Sequence, residues 1–149
     1  MNPFMKLAYE EALAGIAHKH GGPFGAVVVR DGEIISQGHN EVLLRSDPTA
    51  HAEIVAIRNA CESLGRVDLS DCELYASAKP CPMCRGAIQW ARIPRVFYSG
   101  DYEDTNKLNF DDDLFAQDFD TEDNWHQIDQ EHFQMLVDAF EPHKNEIRY

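Results

Sequence analysis

No stretch of this 149-residue sequence approaches the ~20 consecutive apolar residues that a membrane-spanning helix needs, so no membrane partner is expected. The opening residues, Met1-Asn2-Pro3-Phe4-Met5-Lys6, run into a pattern interrupted by Glu10 and Glu11. They lack the apolar core of a secretory signal, and a cytoplasmic location is the default. Internal repeats, low-complexity tracts and linkers are also missing, so a single domain over residues 1–149 is expected. Cysteine is scarce, with four residues at 61, 72, 81 and 84. A tight C-x-x-C pair in a cytosolic-looking chain points to metal or redox chemistry before structural disulfides. Cys61 and Cys72 read as small core or half-buried residues. Positive charge is lacking in the last third. Residues 101–149 carry 15 acidic and 3 basic side chains, a net of -12, whereas residues 1–100 are nearly balanced at -1. Such a segment repels a phosphate backbone, which makes nucleic acid a poor choice of substrate. It also fits a plain solvated surface.

Hydrophobic residues make up 44% of the chain, as in a soluble globular protein. Residues 3–18 are rich in helix formers, with Phe4, Leu7, Ala8, Ala12 and Ile16 near one face. Gly21-Gly22-Pro23 ends that helix. Phe24–Val29 and Glu33–Gln37 read as strands joined by the hairpin signal Asp31-Gly32. Asp47-Pro48 predicts an N-cap and first turn for a helix that runs to Leu64 and closes at Gly65. A third strand is expected over Glu73–Ser77, a helix from about Pro82 to Ala91, and a fourth strand over Val96–Ser99. Residues 101–124 read as a long loop, and residues 128–141 as an amphipathic helix using Ile128, Phe133, Leu136, Val137 and Phe140. The strand–helix–strand–helix–strand run favours parallel strands with helices packed on the sheet, and the leading hairpin makes the sheet mixed. The fold class is therefore α/β.

Two short segments carry the chemistry: His51-Ala52-Glu53 and Pro80-Cys81-Pro82-Met83-Cys84. The cysteines are three positions apart, so the start of a helix can aim both at one point. A neutral imidazole and two thiolates make a good tetrahedral zinc set, with a fourth position left for water. Helix N-termini help to stabilise thiolates. Zinc lowers the pKa of bound water to roughly 7, and Glu53, two positions after His51, can take the proton and deliver it onward. Each piece alone is weak. A lone C-x-x-C serves equally as a redox pair or a structural zinc half-site, and a lone His or Glu at a helix start is usually structural or capping. Together, His51 and Cys81 lie 30 residues apart, each after an expected strand and at the opening of an expected helix. A closed structural zinc site needs four protein ligands, and no fourth is evident.

The pairing H-x-E with P-C-x-x-C is the signature of zinc nucleobase deaminases. From about Gly21 to Ser99 the chain resembles the cytidine deaminase superfamily, and within it is most similar to bacterial guanine deaminases. The likeness rests on the segments from Gly21 to Val27, Gly38-His39-Asn40, Asp47 to Glu53, Pro80 to Ile88 and Trp90-Ala91-Arg92. It continues more weakly through Val96-Phe97-Tyr98, Asn109-Phe110-Asp111-Asp112 and the terminal Tyr149. The zinc motif is specific to the superfamily and not to one base. Phe110-Asp111-Asp112 and Tyr149 tilt the resemblance towards guanine. One departure stands out. Many relatives have Glu before the Pro-Cys pair, and this chain has Lys79.

The resemblance implies a three-layer α/β/α fold, and zinc held by His51, Cys81 and Cys84. It implies Glu53 as the proton shuttle, Asn40 hydrogen-bonding the base, Phe24 packing near it, and Asp112 and Tyr149 completing the pocket. Guanine offers N–H donors that a carboxylate can meet, and a buried group left unpaired by a wrong base costs ~1–3 kcal/mol. The implied reaction converts guanine to xanthine and ammonia. The implied assembly is a homodimer in which the C-terminal segment, about residues 101–149, crosses to close the partner's pocket. Cytosine or nucleoside deamination, transfer-RNA adenosine deamination and a non-catalytic zinc-stabilised interaction module remain alternatives. Glu53, which a purely structural zinc does not need, argues against the last.

Overall fold

The structure is a computed structural model that describes residues 1–110 and 124–147. Among the described residues the elements run α1 (Pro3–Ala17), β1 (Gly25–Arg30), β2 (Glu33–His39), α2 (Val42–Arg45), α3 (Ala52–Leu64), β3 (Glu73–Ala78), α4 (Pro82–Trp90), β4 (Arg95–Gly100), α5 (Tyr102–Asn106), β5 (Trp125–Gln127) and α6 (Gln134–Phe140). The strands form one sheet in the order β2-β1-β3-β4-β5. β1 is antiparallel to both β2 and β3, and β3, β4 and β5 are mutually parallel. β2 consequently points the same way as β3, β4 and β5.

Alternation along the strands divides the core in two. Val27, Val29 and Tyr75 face α1 and the C-terminal residues Phe133, Leu136 and Phe140. Ala26, Val28, Leu74, Ala76 and Val96 face Ala52, Ala56 and Ala60 of α3 and Ile88 of α4. The result is the expected three-layer α/β/α arrangement with a mixed sheet. Local signals explain most boundaries. Asn2 caps α1 by accepting from Phe4 N–H at 2.8 Å and Met5 N–H at 3.2 Å, and Pro3 fits the first turn, where no N–H partner is needed. Asp31 and Gly32 both take positive φ, 50° and 75°, the geometry of a tight two-residue hairpin turn. Gly65 closes α3 at φ 65°.

Three expectations change. Helix α3 starts at Ala52, not at Asp47. The Asp47 carboxylate is engaged locally, accepting from Thr49 N–H at 2.8 Å and Thr49 Oγ1 at 2.7 Å. That makes Asp47-Pro48-Thr49 a side-chain-stapled turn, and leaves His51 as the extended N-cap, φ -67° and ψ 157°. The stretch expected as a loop from 101 contains α5, opened by a reciprocal cap in which Asp101 and Asp104 each accept the other's backbone N–H. Strand β5, three residues long, was not foreseen. The expected helix over 128–141 is broken instead into a 3-10 turn at Gln130–His132 and helix α6. Asp129, at φ 55°, redirects the chain between strand and helix. Its apolar residues still do what the pattern required: Phe133, Leu136 and Phe140 are buried against α1.

Helix α1 and strand β1 touch backbone to backbone. A Cβ at Gly25 would lie 1.9 Å from the Ala8 carbonyl oxygen and 2.8 Å from the Ala12 nitrogen, so only glycine fits there. Gly25→Ala must push α1 off the sheet, and overpacking of this kind costs about 1–3 kcal/mol. A lowered urea midpoint is the expected result, and an unchanged midpoint would show that the helix yields freely.

Candidate active site

His51 and Cys81 hold equivalent places. Each is the extended N-cap of a helix, His51 for α3 and Cys81 for α4, and Pro82 opens α4 behind Cys81. The caps start the helices through ordinary backbone bonds, Val55 N–H to His51 at 2.9 Å and Arg85 N–H to Cys81 at 2.8 Å. Cys84, one turn into α4, is fully buried. The Sγ atoms of Cys81 and Cys84 stand 3.6 Å and 3.5 Å from His51 Nδ1. These three ligand atoms lie within 4.8 Å of one another, so the residues could hold a metal ion. The set also fits by chemistry, because one imidazole nitrogen and two sulfurs match zinc's preference for N and S donors. Three ligands in place of four is the open pattern of catalytic sites.

Electrostatics set this corner apart from a packed core. Cys81 is pushed down to about 4, first by the hydrogen bond from Cys84 and then by His51. Burial drives the Cys84 thiol well up. Glu53, in the first turn of α3, is only 6% exposed. Burial raises its carboxyl to about 7, while His51 and the hydrogen bond with Cys84 draw it back. A carboxyl in this range both accepts and returns a proton near neutral pH.

Phe24, Asn40, His51, Glu53, Lys79, Cys81 and Phe110 line one narrow cleft. Asn40 is 1% exposed. Its Oδ1 accepts from Val42 N–H at 3.0 Å, which fixes the amide so that its NH2 is the donor still to be used. Gly21 makes room for it, since a Cβ there would fall 2.1 Å from Asn40 Oδ1. Phe24 packs edge-on against Phe110, centroids 5.0 Å apart, and Phe110 is backed by Phe140 at 5.9 Å. The structure therefore gathers His51, Glu53, Cys81, Cys84, Asn40 and Phe24 around one space. Asp112 and Tyr149 lie outside the described residues.

Phe110 gains a place that sequence reasoning did not give it, and Lys79 lines the cleft near whose mouth it was expected. Phe110 was noted only within a resembling block, and the signal for it is the turn at Asn109, φ 66°, which brings the ring back to Phe24. Lys79 lies over the Tyr102 ring at 4.8 Å and near Tyr98 at 5.7 Å. Tyr102 is itself pinned by donating to the Pro80 carbonyl at 2.7 Å.

Such an arrangement defines a class: hydrolytic enzymes in which a buried carboxyl moves protons beside a three-ligand metal site. Residues 1–100 match the model of the cytidine and deoxycytidylate deaminase zinc-binding region, and the chain belongs to that family. It is 50% identical to the guanine deaminase of Bacillus subtilis over 117 residues, 78% of this chain and 75% of that one. The X-ray structure of that enzyme matches at 49% identity with a TM-score of 0.75, covering 82% of this chain and 79% of that chain. The chain is also 46% identical to the tRNA-specific adenosine deaminase of Aquifex aeolicus over 96 residues, 64% of this chain and 63% of that one. A guanine deaminase from Nitrosomonas europaea matches at 27% identity and TM-score 0.78, covering 92% and 82%.

Removing one sulfur leaves two ligands. Cys84→Ala is expected to abolish tight zinc binding, against one zinc per chain in the unaltered protein, as read by metal analysis after desalting. Equal zinc content in the two proteins would place the metal elsewhere.

Proposed function

We propose that this chain hydrolyses guanine to xanthine and ammonia. The observation that carries the reading is the reach of the likeness. Identity to a guanine deaminase stays at 50% over 78% of the chain, whereas the transfer-RNA deaminase cited above matches over 64%. Charge supports it, because the net of -12 over residues 101–149 opposes the phosphate contacts that RNA binding requires.

In this reading His51, Cys81 and Cys84 hold zinc. Zinc supplies a Lewis acid and lowers the pKa of water from 15.7 to about 7. Phe24 and Phe110 flank the flat ring. The Asn40 NH2 donates to an acceptor on the base and fixes its orientation, and orientation is a large part of rate. Glu53 takes one proton from the attacking water and passes it to a ring nitrogen of the base, then takes the remaining proton from the new C–OH group and passes it to the departing nitrogen. A C–O bond forms at the carbon bearing the amino group, the C–N bond breaks, and ammonia leaves. Asp112 and Tyr149, outside the described residues, complete the pocket in this proposal by accepting the base's N–H groups and closing over it.

Assembly is part of the same proposal. Two chains form a homodimer, and the C-terminal segment of each, about residues 101–149, closes the partner's cleft. Here Leu136, Phe140 and Ile147 pack with α1 of their own chain, and an exchanged tail would make the same contacts across the dimer.

Ammonia release from guanine, adenine, cytosine and cytidine tests the substrate. Guanine is expected to be turned over fastest, and Glu53→Gln to lower that rate by about 10²–10⁴-fold with zinc content unchanged. Faster turnover of adenine or cytosine would overturn the substrate. Near-normal turnover by Glu53→Gln would overturn the role of the carboxyl.

The exchange has its own test. Glu53→Gln and a deletion of residues 145–149 are each expected to be inactive alone, and to regain activity when mixed under conditions of subunit exchange. No recovery despite proven exchange would confine the tail to its own chain.

A further inference from the structure

Behind Asn40, away from the metal ligands, three ionisable side chains form a continuous hydrogen-bonded row. Glu11 of α1 meets His39 at the end of β2, with Oε2 2.8 Å from Nδ1. His39 Nε2 in turn lies 2.8 Å from His20 Nδ1. The other Glu11 oxygen accepts from Gln37 Nε2. The Glu11 and His39 side chains are 16% and 17% exposed. Gly15 leaves room for the imidazole, since a Cβ there would lie 2.9 Å from His39 Cδ2. This row is built into the helix–sheet seam and is not a chance surface contact.

Its two histidines hold the residues around Asn40. His39 precedes Asn40 in the chain. His20 precedes Gly21, whose Cα abuts the Asn40 amide, and the His20 carbonyl accepts both Leu43 and Leu44 N–H at 3.0 Å. Val42, between these bonds and Asn40, supplies the N–H that orients the Asn40 amide. The His20–His39 bond therefore ties the loop on one side of Asn40 to the strand on the other.

That bond accepts only one proton between two facing nitrogens. With His39 Nδ1–H donated to Glu11, either His20 donates to a bare His39 Nε2, or a cationic His39 donates to a bare His20 Nδ1. The pair takes up one proton without losing this bond, but a second places N–H against N–H and two like charges in rings 5.1 Å apart. The groups that bear on His20 are His39, His18 at the end of α1 and Glu41 beyond β2. Burial, His39 and then His18 hold its imidazole below the ordinary range, and only Glu41 opposes them.

We propose that Glu11, His39 and His20 are positioning residues that brace Asn40 for base binding, and that double protonation of the histidine pair releases the brace. The proposal rests on the reading that Asn40 holds the base. The sign follows from the lowered His20 value. As pH falls below about 6.5 the unfolded chain takes up a proton that the folded brace refuses. The brace is intact above that pH and lost progressively below it, so base affinity weakens on acidification.

The test measures hypoxanthine binding to the zinc-loaded full chain from about pH 7.5 to pH 5.5. Hypoxanthine keeps a purine oxo face and has no amino group to hydrolyse. His20→Gln can donate to His39 without titrating. Affinity of the unaltered protein is expected to fall about fivefold more than that of the variant across this range, the size of one lost neutral hydrogen bond. Superimposable profiles would overturn the brace. A second readout needs neither the variant nor a ligand. In nuclear magnetic resonance spectra of the unaltered protein, the Asn40 side-chain amide is expected to shift with the same midpoint as the His20 imidazole. A His20 titration that leaves Asn40 unmoved would overturn the coupling. If hypoxanthine binds at no pH, the purine reading fails, and the spectra still decide the brace.

Discussion

Everything in this site depends on two helices starting at one edge of the sheet. Strands β2, β3 and β4 run the same way, so the chain leaving β2 and the chain leaving β3 emerge at the same carboxyl edge. β1 lies between them in the opposite sense. The chain leaving β3 turns directly into α4 and the chain leaving β2 reaches α3 by way of α2, and the N-cap of each of these two helices, His51 or Cys81, is a metal-capable residue. Ligands in open α/β sheets collect at this edge, where neighbouring connections diverge and leave a crevice. His51 and Cys81 come within bonding range because two separate crossovers begin side by side.

The same convergence creates a charge problem that the protein alone does not solve. A buried carboxyl and two sulfurs crowd one imidazole. Two unit charges ~4 Å apart interact by about 4 kcal/mol at an effective dielectric of 20, so three anions cannot coexist here unaided. The chain answers by keeping protons: Cys84 stays a thiol and Glu53 rises to about 7. The positive ends of α3 and α4 help, though each contributes only ~0.3–1 kcal/mol in ordinary settings. A divalent cation among these groups would free both sulfurs of their protons and leave Glu53 as the group that moves one.

The sequence was most readable where one local rule acted without competition. Asp31-Gly32, Gly65 and the three consecutive valines of β1 each had a single favourable conformation, and the structure adopts it. Asp47-Pro48 misled because two rules applied: Asp caps helices, and Asp also staples turns with a following Thr. The hydroxyl of Thr49 decided the matter. Trp125–Gln127 has no hydrophobic alternation and is too short to show any, and its pairing with β4 comes from tertiary context. The metal-capable trio was legible through spacing, because ligands sitting near helix starts keep a fixed separation in sequence. Phe110 and the Glu11–His39–His20 row were not legible as groups. Their members lie tens of residues apart, and only packing brings them together.

The first helix of the chain is sheltered by its last residues. Met5, Tyr9 and Ile16 share one core cluster with Phe133, Leu136, Phe140 and Ile147, and the Asn2 backbone donates to Asp129 at 3.0 Å. A ribosome builds the chain from α1 onward at roughly 5–20 residues per second. On that schedule α1 and its strands are made with one flank bare, and it stays bare until the segment carrying Phe133, Leu136 and Phe140 has followed. A chain cut off before that segment would keep its greasy side open, a natural target for chaperones and proteases.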